Sequence, residues 1–303
     1  MRSLHTLGEI GLIDRIRRRL PAAASVRLGI GDDAAVLRAR VGGHWLLFAS
    51  DMLIEGIHFT RRLVPAPWIG WKALACNVSD IAAMGGIPRW AVVSLGLPRS
   101  TPVAFVDRLY VGLSRCAQRF NTAIVGGDTV RAPQVVIDVA ILGSARPEHL
   151  TLRSGVRIGD QLFVTGRLGG AYRSGRHARF LPRLREAQAL VRRLRVHAMM
   201  DLSDGLASDL WQMSRASRVV LRIDASRIPV SRAAASLRHA LMEGEDFELL
   251  FAVGPREASR VPARLGACPV TRIGRAVARG VNVELEDRHG QIRTLIPAGF
   301  RHF

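Results

Sequence analysis

One stretch of this chain indicates more about the fold than any other: Pro67-Trp-Ile-Gly-Trp-Lys-Ala-Leu-Ala-Cys-Asn-Val-Ser-Asp-Ile-Ala-Ala-Met84. Its apolar residues recur at helical spacing and the pattern stops at Gly85-Gly86, so we predict a helix over 67–84. Compact apolar runs flank it at His44–Ser50 and Trp90–Leu97. Both runs predict strands, and the first reads as a buried strand that ends at Asp51. Strand, helix and strand in succession indicate a fold that mixes both kinds of element.

The stretches outside this core continue the alternation. Residues 1–20 are amphipathic and rich in arginine, but acidic residues interrupt them, which favours a short helix of the folded protein over a targeting peptide. A Thr101 cap and Pro102 at the first helical position predict a helix over 101–120, which Asn121 terminates.

The second half of the chain alternates in the same way. Further strands are predicted over 122–125, 135–142, 161–165, 219–223 and 247–253, and further helices over 174–197 and 203–217, with Ser203 or Asp204 at the start of the last. The segment 146–157 has no clear periodicity and is the expected boundary. We therefore expect an α/β (α+β) protein of two domains, residues 1–145 and 146–303.

The composition is that of a basic globular protein. Of 303 residues 48% are hydrophobic, and 44 Lys plus Arg outnumber 25 Asp plus Glu, for a net charge of +19. Three cysteines are too few for a disulfide scaffold or a closed zinc site, and no apolar run approaches the roughly 18–20 residues of a membrane helix. We expect a cytoplasmic protein with no membrane partner. The cations are all arginine except Lys72 and are spread along the chain, which favours a solvated surface over a specific nucleic-acid interface.

Several of the few acidic residues lie where solubility does not explain them. They close apolar strands or helices, or they follow glycines: Asp32, Asp33, Asp51, Asp80, Asp128, Asp201 and Asp204. Each one alone fits a turn or a helix cap. A buried carboxylate is costly, however, unless it is paired or binds a metal, and few cations lie within these motifs. Together these residues favour a site for Mg²⁺ on a triphosphate.

The common nucleotide-binding and hydrolytic motifs are missing from the chain. There is no G-x-x-x-x-G-K-[ST], no third glycine after Gly29-Ile-Gly31, and no kinase H-R-D or D-F-G set. The G-x-S-x-G elbow and the HxH, HExxH and CxxC zinc patterns are missing too. Any nucleotide therefore binds through a different frame.

A series of short motifs, spread over nearly the whole chain, carries a family resemblance. They are Leu7–Arg15, Gly29–Leu37, Ser50–Phe59, Gly70–Gly85, Ile124–Thr129, Leu152–Gly155, Gly159-Asp160, Asp201–Leu206 and Gly244–Phe251. In this order they resemble the thiamine-monophosphate kinases of the aminoimidazole ribonucleotide synthetase-like superfamily. Glu55-Gly-Ile-His-Phe59 and Gly244-Glu-Asp-Phe-Glu248 favour this kinase over other members of the superfamily.

The resemblance implies a fold and a reaction. The N-terminal sheet domain is expected to form the interface of a homodimer, and the C-terminal α/β domain to complete a cleft for ATP. The implied reaction is ATP-dependent and Mg²⁺-dependent phosphorylation of thiamine monophosphate to thiamine diphosphate by direct transfer. No protein side chain is assigned as nucleophile or general base, because the acceptor is already a phosphate.

The resemblance also implies site residues, motif by motif. The expected Mg²⁺ ligands are Asp33, Ser50, Asp51, Asp80, Asp128, Asp201 and Asp204, with Asp32 beside them. The expected nucleotide contacts are Tyr110, Gly127, Asp128, Arg153 and Ser203. The expected contacts to thiamine monophosphate are His58, Glu245 and Phe300.

The chain departs from the family pattern at a few places, and two other interpretations stay open. Ala49 stands where many members have a hydroxyl residue, Arg301 where an aspartate is usual, and 228–243 is short. One alternative is another ATP-dependent enzyme of the superfamily, such as a selenophosphate synthetase, although these carry a reactive cysteine that the chain lacks. The other is a basic nucleic-acid-binding protein on a retired enzyme scaffold, whose binding would fall steeply with salt and need no Mg²⁺.

Overall fold

Two mixed β-sheets and seven α-helices form the part of the chain that the structure, a computed structural model, describes: residues 4–21, 23–297 and 299. The helices are α1 (Leu4–Arg19), α2 (Ala66–Ala83), α3 (Val103–Phe120), α4 (Leu184–Arg193), α5 (Leu206–Ser217), α6 (Leu237–Met242) and α7 (Pro255–Ala258). Short 3₁₀ turns cover Arg176–Ala178 and Ala225–Arg227. The mixture of strands and helices in both halves confirms the predicted fold class.

The first sheet has six strands in the order β1-β2-β3-β6-β4-β5. They are β1 (Val26–Leu28), β2 (Ala35–Val41), β3 (His44–Ile54), β4 (Ile87–Leu97), β5 (Ala123–Arg131) and β6 (Val136–Ala145). The β4–β5 pair is parallel and the other pairs are antiparallel. Side chains alternate along β6, so that Ile137, Val139 and Ile141 are fully buried while the residues between them face away from the core.

The second sheet has eight strands in the order β14-β13-β9-β12-β7-β10-β8, with β11 paired to β12. They are β7 (Gln161–Thr165), β8 (Val196–Asp201), β9 (Val219–Asp224), β10 (Leu249–Val253), β11 (Arg264–Leu265), β12 (Cys268–Arg279), β13 (Asn282–Glu286) and β14 (Ile292–Thr294). All five residues of β10 are buried, as expected of a strand covered on both faces. One face packs in a cluster with α5, and the other packs with α4.

Helix α2 lies between the two sheets. Its residues Ile69, Leu74 and Val78 belong to the core of the first sheet, whereas Ala82 and Ala83 pack in the cluster of the second sheet and α4. Because both sheets and other helices pack against it, most of its residues are buried, including the polar Lys72, Asn77 and Ser79. The predicted helix over 67–84 is thus confirmed, shifted by one residue at each end, and it carries polar side chains into the junction of the two halves.

Two strands run further than predicted. β3 does not end at Asp51, because its pairing with β6 continues to Ile54. β5 does not end before Gly126, because its parallel pairing with β4 continues through Gly127 and Asp128 to Arg131. Asp51 and Asp128 therefore lie within strands, where the direction of the side chain is set by alternation along the strand.

The predicted helix starts are wrong in two places. α3 begins at Val103, and Thr101 does not cap it, since its buried hydroxyl has no hydrogen-bond partner among the described residues. α5 begins at Leu206 after Gly205, so neither Ser203 nor Asp204 is the N-cap.

The prediction that 174–197 is mostly helical is only partly right. This stretch contains a 3₁₀ turn and α4, and Val196 already pairs with β10. The predicted terminator Asn121 is confirmed, with a left-handed φ of 51°. Within the described ranges, no helix is long and apolar enough to cross a membrane.

Candidate active site

Five of the predicted metal ligands meet at the junction of the two halves. Asp33 precedes β2, Asp51 lies in β3 and points toward the helical side of the sheet, and Asp80 lies near the end of α2. Asp201 ends β8 and Asp204 follows it in the turn before α5. The Ser79 hydroxyl donates to Asp201 Oδ2 over 2.5 Å and ties α2 to β8. The fold thus brings five of these carboxylates, from four segments, into one region.

The charges of these carboxylates act on one another. Burial, and after it the charges of Glu245, Asp138 and Asp204, raises the pKa of Asp51 to about 6. The pKa of Asp80 is raised well above its usual range by burial, then by Asp51 and Asp201. Such a group is costly to ionise without a cation, because removal from water and mutual repulsion both oppose the charge.

Arg153 supplies a cation that local sequence did not predict for Asp32-Asp33. Its side chain is 15% exposed, and Nη2 lies 2.5 Å from Asp33 Oδ1. The backbone N–H of Arg153 donates to both carboxylate oxygens of Asp32 over 3.2 Å. Burial, then the charge of Asp33, raises the pKa of Asp32 to about 7. Few cations lie next to these aspartates in the sequence, as expected. In the folded protein, however, Asp33 is paired with Arg153, which is 120 residues away in the chain.

Asp209 is an acidic residue at this site that the sequence analysis missed. It lies in the first turn of α5 and is fully buried, and neither carboxylate oxygen has a hydrogen-bond partner among the described residues. Burial, then the charges of Asp204 and Asp201, raises its pKa well above its usual range. The signal in the sequence was an aspartate among apolar residues of the helix, three residues after Leu206 and next to Leu210.

The donors at this site suit Mg²⁺, although the ligand-free arrangement does not converge on one point. Within the described residues no three His, Cys, Asp or Glu side chains are close enough together to hold a metal ion. The available donors are carboxylate oxygens, and the buried Asp33 Oδ2 has no hydrogen-bond partner in the described part of the chain. Because Mg²⁺ is usually held by one or two carboxylates with water and substrate phosphates, the residues fit this ion.

Two predicted ligands lie apart from the others. Ser50 points to the opposite face of the sheet from Asp51, and its hydroxyl donates to Asp138 Oδ1 over 2.9 Å. Asp128 is exposed on β5 and accepts from the backbone N–H of Thr129. Sequence analysis missed Asp138, which bonds to Ser50 and lies close enough to Asp51 to raise its pKa.

The predicted nucleotide contacts come from separate elements in both halves of the chain. Gly127 pairs with Val93 of β4, and a Cβ on Gly127 would lie 1.8 Å from the Val93 carbonyl oxygen. The carbonyl of Ser203 accepts from the backbone N–H of Glu245. Tyr110 is exposed on α3, and within the described part of the chain no contact joins it to the carboxylates.

Two of the predicted substrate contacts are joined by a third residue. Lys72 of α2 forms an ion pair with Glu245 and donates to the carbonyl of His58 over 3.0 Å. The imidazole Nδ1 of His58 accepts from the backbone N–H of Ile54, which fixes the turn after β3. Phe300, and Arg301 beside it, lie outside the described residues.

An aromatic pair missed by the sequence analysis lies beside these residues. The rings of Tyr172 and His177 stack with centroids 4.5 Å apart. Burial, then the charge of Glu245, raises the pKa of Tyr172, and burial followed by the charge of Lys72 lowers the pKa of His177. Both rings are therefore near the Lys72–Glu245 pair. The segment that carries them is rich in arginine, and for this reason the sequence did not indicate a binding site there.

Two family models match the chain, one for each half. The N-terminal domain model of AIR synthase related proteins matches residues 31–145, and the C-terminal domain model matches residues 158–286. These ranges contain the first and the second sheet respectively, except for β1 and β14 at their edges.

Curated relatives and a solved structure are similar over nearly the full length. The thiamine-monophosphate kinase of Rhodopirellula baltica is 37% identical over 304 residues, covering 95% of each chain. That of Aquifex aeolicus is 32% identical and covers 99% of each. A solved structure of AaThiL complexed with AMPPCP and TMP has a TM-score of 0.86 at 30% identity, covering 100% of this chain and 99% of the other.

Proposed function

The chain belongs to the thiamine-monophosphate kinase family, and on this basis we propose that it is a kinase that transfers the γ-phosphoryl group of ATP to thiamine monophosphate. The products are thiamine diphosphate and ADP. The observation that carries the proposal is the meeting of five carboxylates from four segments at the junction of the two halves. A site with this many carboxylates suits the handling of a metal-bound triphosphate.

The chemistry asks for positioning more than for covalent help. The acceptor is a phosphate that is already ionised at neutral pH, so no residue need remove a proton from it. Both reactants are anions, and their reacting atoms must be held together in line against their repulsion. We assign this task to the chain's cations and hydrogen-bond donors, with Arg153 on the nucleotide and Ser203, Tyr110 and Gly127 beside it.

We propose that Mg²⁺ is held by the carboxylates of Asp33, Asp51, Asp80, Asp201 and Asp204, with Ser50 and Asp128 completing the set and Asp32 supporting Asp33. When bound, Mg²⁺ supplies charge neutralisation for the phosphates and for these carboxylates. The support for this is chemical, because each donor is an oxygen and the pKa values of Asp33, Asp80 and Asp201 are raised by burial and, for Asp80 and Asp201, by like charges.

We propose that thiamine monophosphate contacts His58, Glu245 and Phe300. Glu245 offers a carboxylate to the cationic thiazolium or to the aminopyrimidine, and its pKa is raised by burial although Lys72 opposes the rise. An aromatic side chain such as Phe300 suits the same cation by cation–π contact.

We further propose a homodimer formed through the first sheet. α2 and α3 cover one face of this sheet, while the other face exposes large apolar side chains. They are Phe48, Met52, Trp90, Val92, Val125 and Val130. An apolar sheet face of this kind is expected to be covered, and a second copy of the chain presents the same surface in return.

Sedimentation velocity tests the dimer. We expect a dimer for the wild type and a monomer for Met52→Asp, because a carboxylate would be buried without a partner at the interface. Leu63→Asp is the matched control, since Leu63 is exposed in the loop before α2 and away from this face. A wild-type monomer, or equal effects of the two substitutions, would contradict the proposal.

We propose that the two domains divide at 145/146 and that the protein acts in the cytoplasm. β6 ends at Ala145 and the second sheet begins with β7 at Gln161. Cys76, Cys116 and Cys268 are free thiols, which suits a reducing compartment.

A coupled measurement tests the reaction. Purified protein with ATP, Mg²⁺ and thiamine monophosphate is expected to form ADP and thiamine diphosphate, and to form neither without Mg²⁺. Asp51→Asn is expected to lower kcat/KM about 100-fold or more, as several kcal/mol of lost transition-state stabilisation implies. Asp107→Asn, an exposed carboxylate on α3, is the control and should keep wild-type activity.

Three other outcomes would each be informative. ATP binding without product would indicate a different acceptor. Equal activity of Asp51→Asn and wild type would remove the carboxylate cluster from the mechanism. No ATP binding, with steeply salt-dependent nucleic-acid binding instead, would overturn the kinase assignment.

A further inference from the structure

Lys72 stands apart from every other cation in the chain. It is the single lysine among 44 basic residues, and the others are all arginine. It is also fully buried, at 0% exposure, near the middle of α2. All exposed Lys or Arg positions in this chain are arginine. A lysine at a buried position therefore indicates that the space around its side chain accepts a compact ammonium group and not a planar guanidinium.

The contacts of Lys72 join two segments that come from different halves of the chain. Its Nζ donates to the carbonyl oxygen of His58 over 3.0 Å and forms an ion pair with Glu245 Oε2. His58 belongs to the turn after β3 of the first sheet, and Glu245 precedes β10 of the second. Glu245 is 173 residues from Lys72 in sequence, so only the packing of α2 between the sheets brings them together.

The backbone around Glu245 is held in a constrained form. Glu245 has a φ of 69° and Phe247 a φ of 49°, both in the left-handed region. The N–H of Glu245 donates to the carbonyl of Ser203, and the N–H of Phe247 to the carbonyl of Leu202, each over 2.7 Å. Such conformations persist only when neighbouring contacts impose them, and they cluster at functional sites. The backbone is therefore fixed by the segment before α5, while the carboxylate is fixed by Lys72.

Without Lys72, nothing in the described contacts would hold the Glu245 carboxylate in place. The charge of Asp51 acts against that of Glu245, so an unpaired Glu245 would turn away from the cluster. The carbonyl of His58 would lose the same donor, and the turn that carries the imidazole would lose its link to α2.

We propose that Lys72 is a positioning residue for the acceptor substrate, because its ammonium group holds the Glu245 carboxylate and the His58 turn in the arrangement that receives thiamine monophosphate. This role rests on the proposed function and deepens it. Lys72 acts through the Glu245 carboxylate and the carbonyl of His58. Ser203, the predicted nucleotide contact nearest to Glu245, bonds to its backbone N–H, which the ion pair with Lys72 does not involve.

Steady-state kinetics of five variants, with calorimetric titration of thiamine monophosphate, test this role. Lys72→Met keeps the length of the side chain and removes the charge. We expect it to raise KM and Kd for thiamine monophosphate by about tenfold or more and to change KM for ATP less than about twofold, as loss of positioning on one substrate implies. Lys72→Arg keeps the charge but should not restore the wild-type KM for thiamine monophosphate, because the guanidinium is larger and planar.

A double-mutant cycle separates positioning from packing. If Lys72 acts through Glu245, adding Lys72→Met to Glu245→Gln should raise KM for thiamine monophosphate less than about twofold further. Leu74→Ala, a fully buried core residue of α2, is the control: it lowers stability but should leave both KM values unchanged. Additive effects, or a Lys72→Met variant with equal changes in both KM values or with neither changed, would overturn the role.

Two further outcomes keep the test decisive. If Lys72→Met alone does not fold, the double variant Lys72→Met/Glu245→Gln removes both charges and should fold, with the KM of Glu245→Gln. If the double variant also fails to fold, Lys72 is a packing residue and the role is overturned. A wild-type protein that neither binds nor phosphorylates thiamine monophosphate contradicts the proposed function itself, whereas normal wild-type turnover with an unaltered Lys72→Met contradicts only the role of Lys72.

Discussion

Ser50 and Asp51 are neighbours in sequence, and their side chains point to opposite faces of the first sheet. Asp51 points toward α2 and the other carboxylates, while Ser50 bonds to Asp138 on the far side. The pattern of carboxylates in apolar surroundings predicted Asp51 because burying such a group is costly. It could not predict which side of the strand each residue faces, because that depends on β3 continuing to Ile54.

Other residues of the site could not be predicted because their meaning depends on distant partners. Lys72 looked like one helical residue among many, and only the fold shows its contact with Glu245. Asp209 looked like an ordinary polar residue of an amphipathic helix, and only burial of both oxygens sets it apart. Arg153 was selected by resemblance from among the arginines, since composition alone favoured an exposed side chain.

The close approach of Gly127 to β4 predicts that even one added methyl group would destabilise the protein. A Cβ at this position would lie 1.8 Å from the Val93 carbonyl oxygen, so the β4–β5 pair would have to separate. We expect Gly127→Ala to lower the free energy of unfolding by about 2–4 kcal/mol. Gly126→Ala is the matched control, because its Cβ would make an ordinary 3.9 Å contact with Val92. Urea unfolding measures both, and equal losses would refute the steric explanation.

At the scale of elements, α4 and the preceding 3₁₀ turn are attached to the second sheet by buried ion pairs. Arg183 binds both oxygens of Glu248 over 2.6 Å, and Glu248 is 1% exposed. Arg176 and the Thr165 hydroxyl bind the same carboxylate. The prediction that 174–197 is mostly helical is only partly right, because these pairs and the pairing of β8 with β10 impose a turn, a short helix and a strand.

Removing one partner of this pair should be far more costly than removing a surface ion pair. We expect Arg183→Met to lower the free energy of unfolding by about 3 kcal/mol, because Glu248 would stay buried with less compensation. Arg260→Met, which breaks the exposed pair with Glu257, should cost about 1 kcal/mol or less. Chemical denaturation of the two variants decides the matter. A loss for Arg183→Met no larger than that for Arg260→Met would show that Glu248 is satisfied by its other partners.

For the whole molecule, the buried carboxylates make stability depend on pH and on metal. The pKa of Asp51 is raised to about 6, chiefly by burial and then by Glu245. The pKa values of Asp32 and Asp246 are raised to about 7, again chiefly by burial. Since these groups titrate near pH 4 in the unfolded chain, the folded state binds more protons between about pH 4 and pH 7.

The metal-free protein should therefore lose stability as pH rises through that window. The expected loss is roughly 1.4 kcal/mol per unit of pKa difference, before relaxation of the site. Mg²⁺ should restore the loss, and its effect on Tm should be larger at pH 8 than at pH 5, because it binds the ionised carboxylates. Thermal unfolding with chelator, with Mg²⁺, and with Na⁺ at matched ionic strength provides the comparison. A Tm that rises with pH without metal would contradict the account.

The position of α2 has a consequence for how the chain folds. Its first turns complete the core of the first sheet, while Ala82 and Ala83 lie in the core that α4 and the second sheet share. Neither half of the sequence thus contains all the side chains that its own core needs. A fragment that begins after residue 145 would lack the end of α2 in its core, and one that stops there would expose Ala82 and Ala83 to water. We therefore expect the two halves to unfold together, and the helix that they share also carries Lys72 and Asp80 to the site.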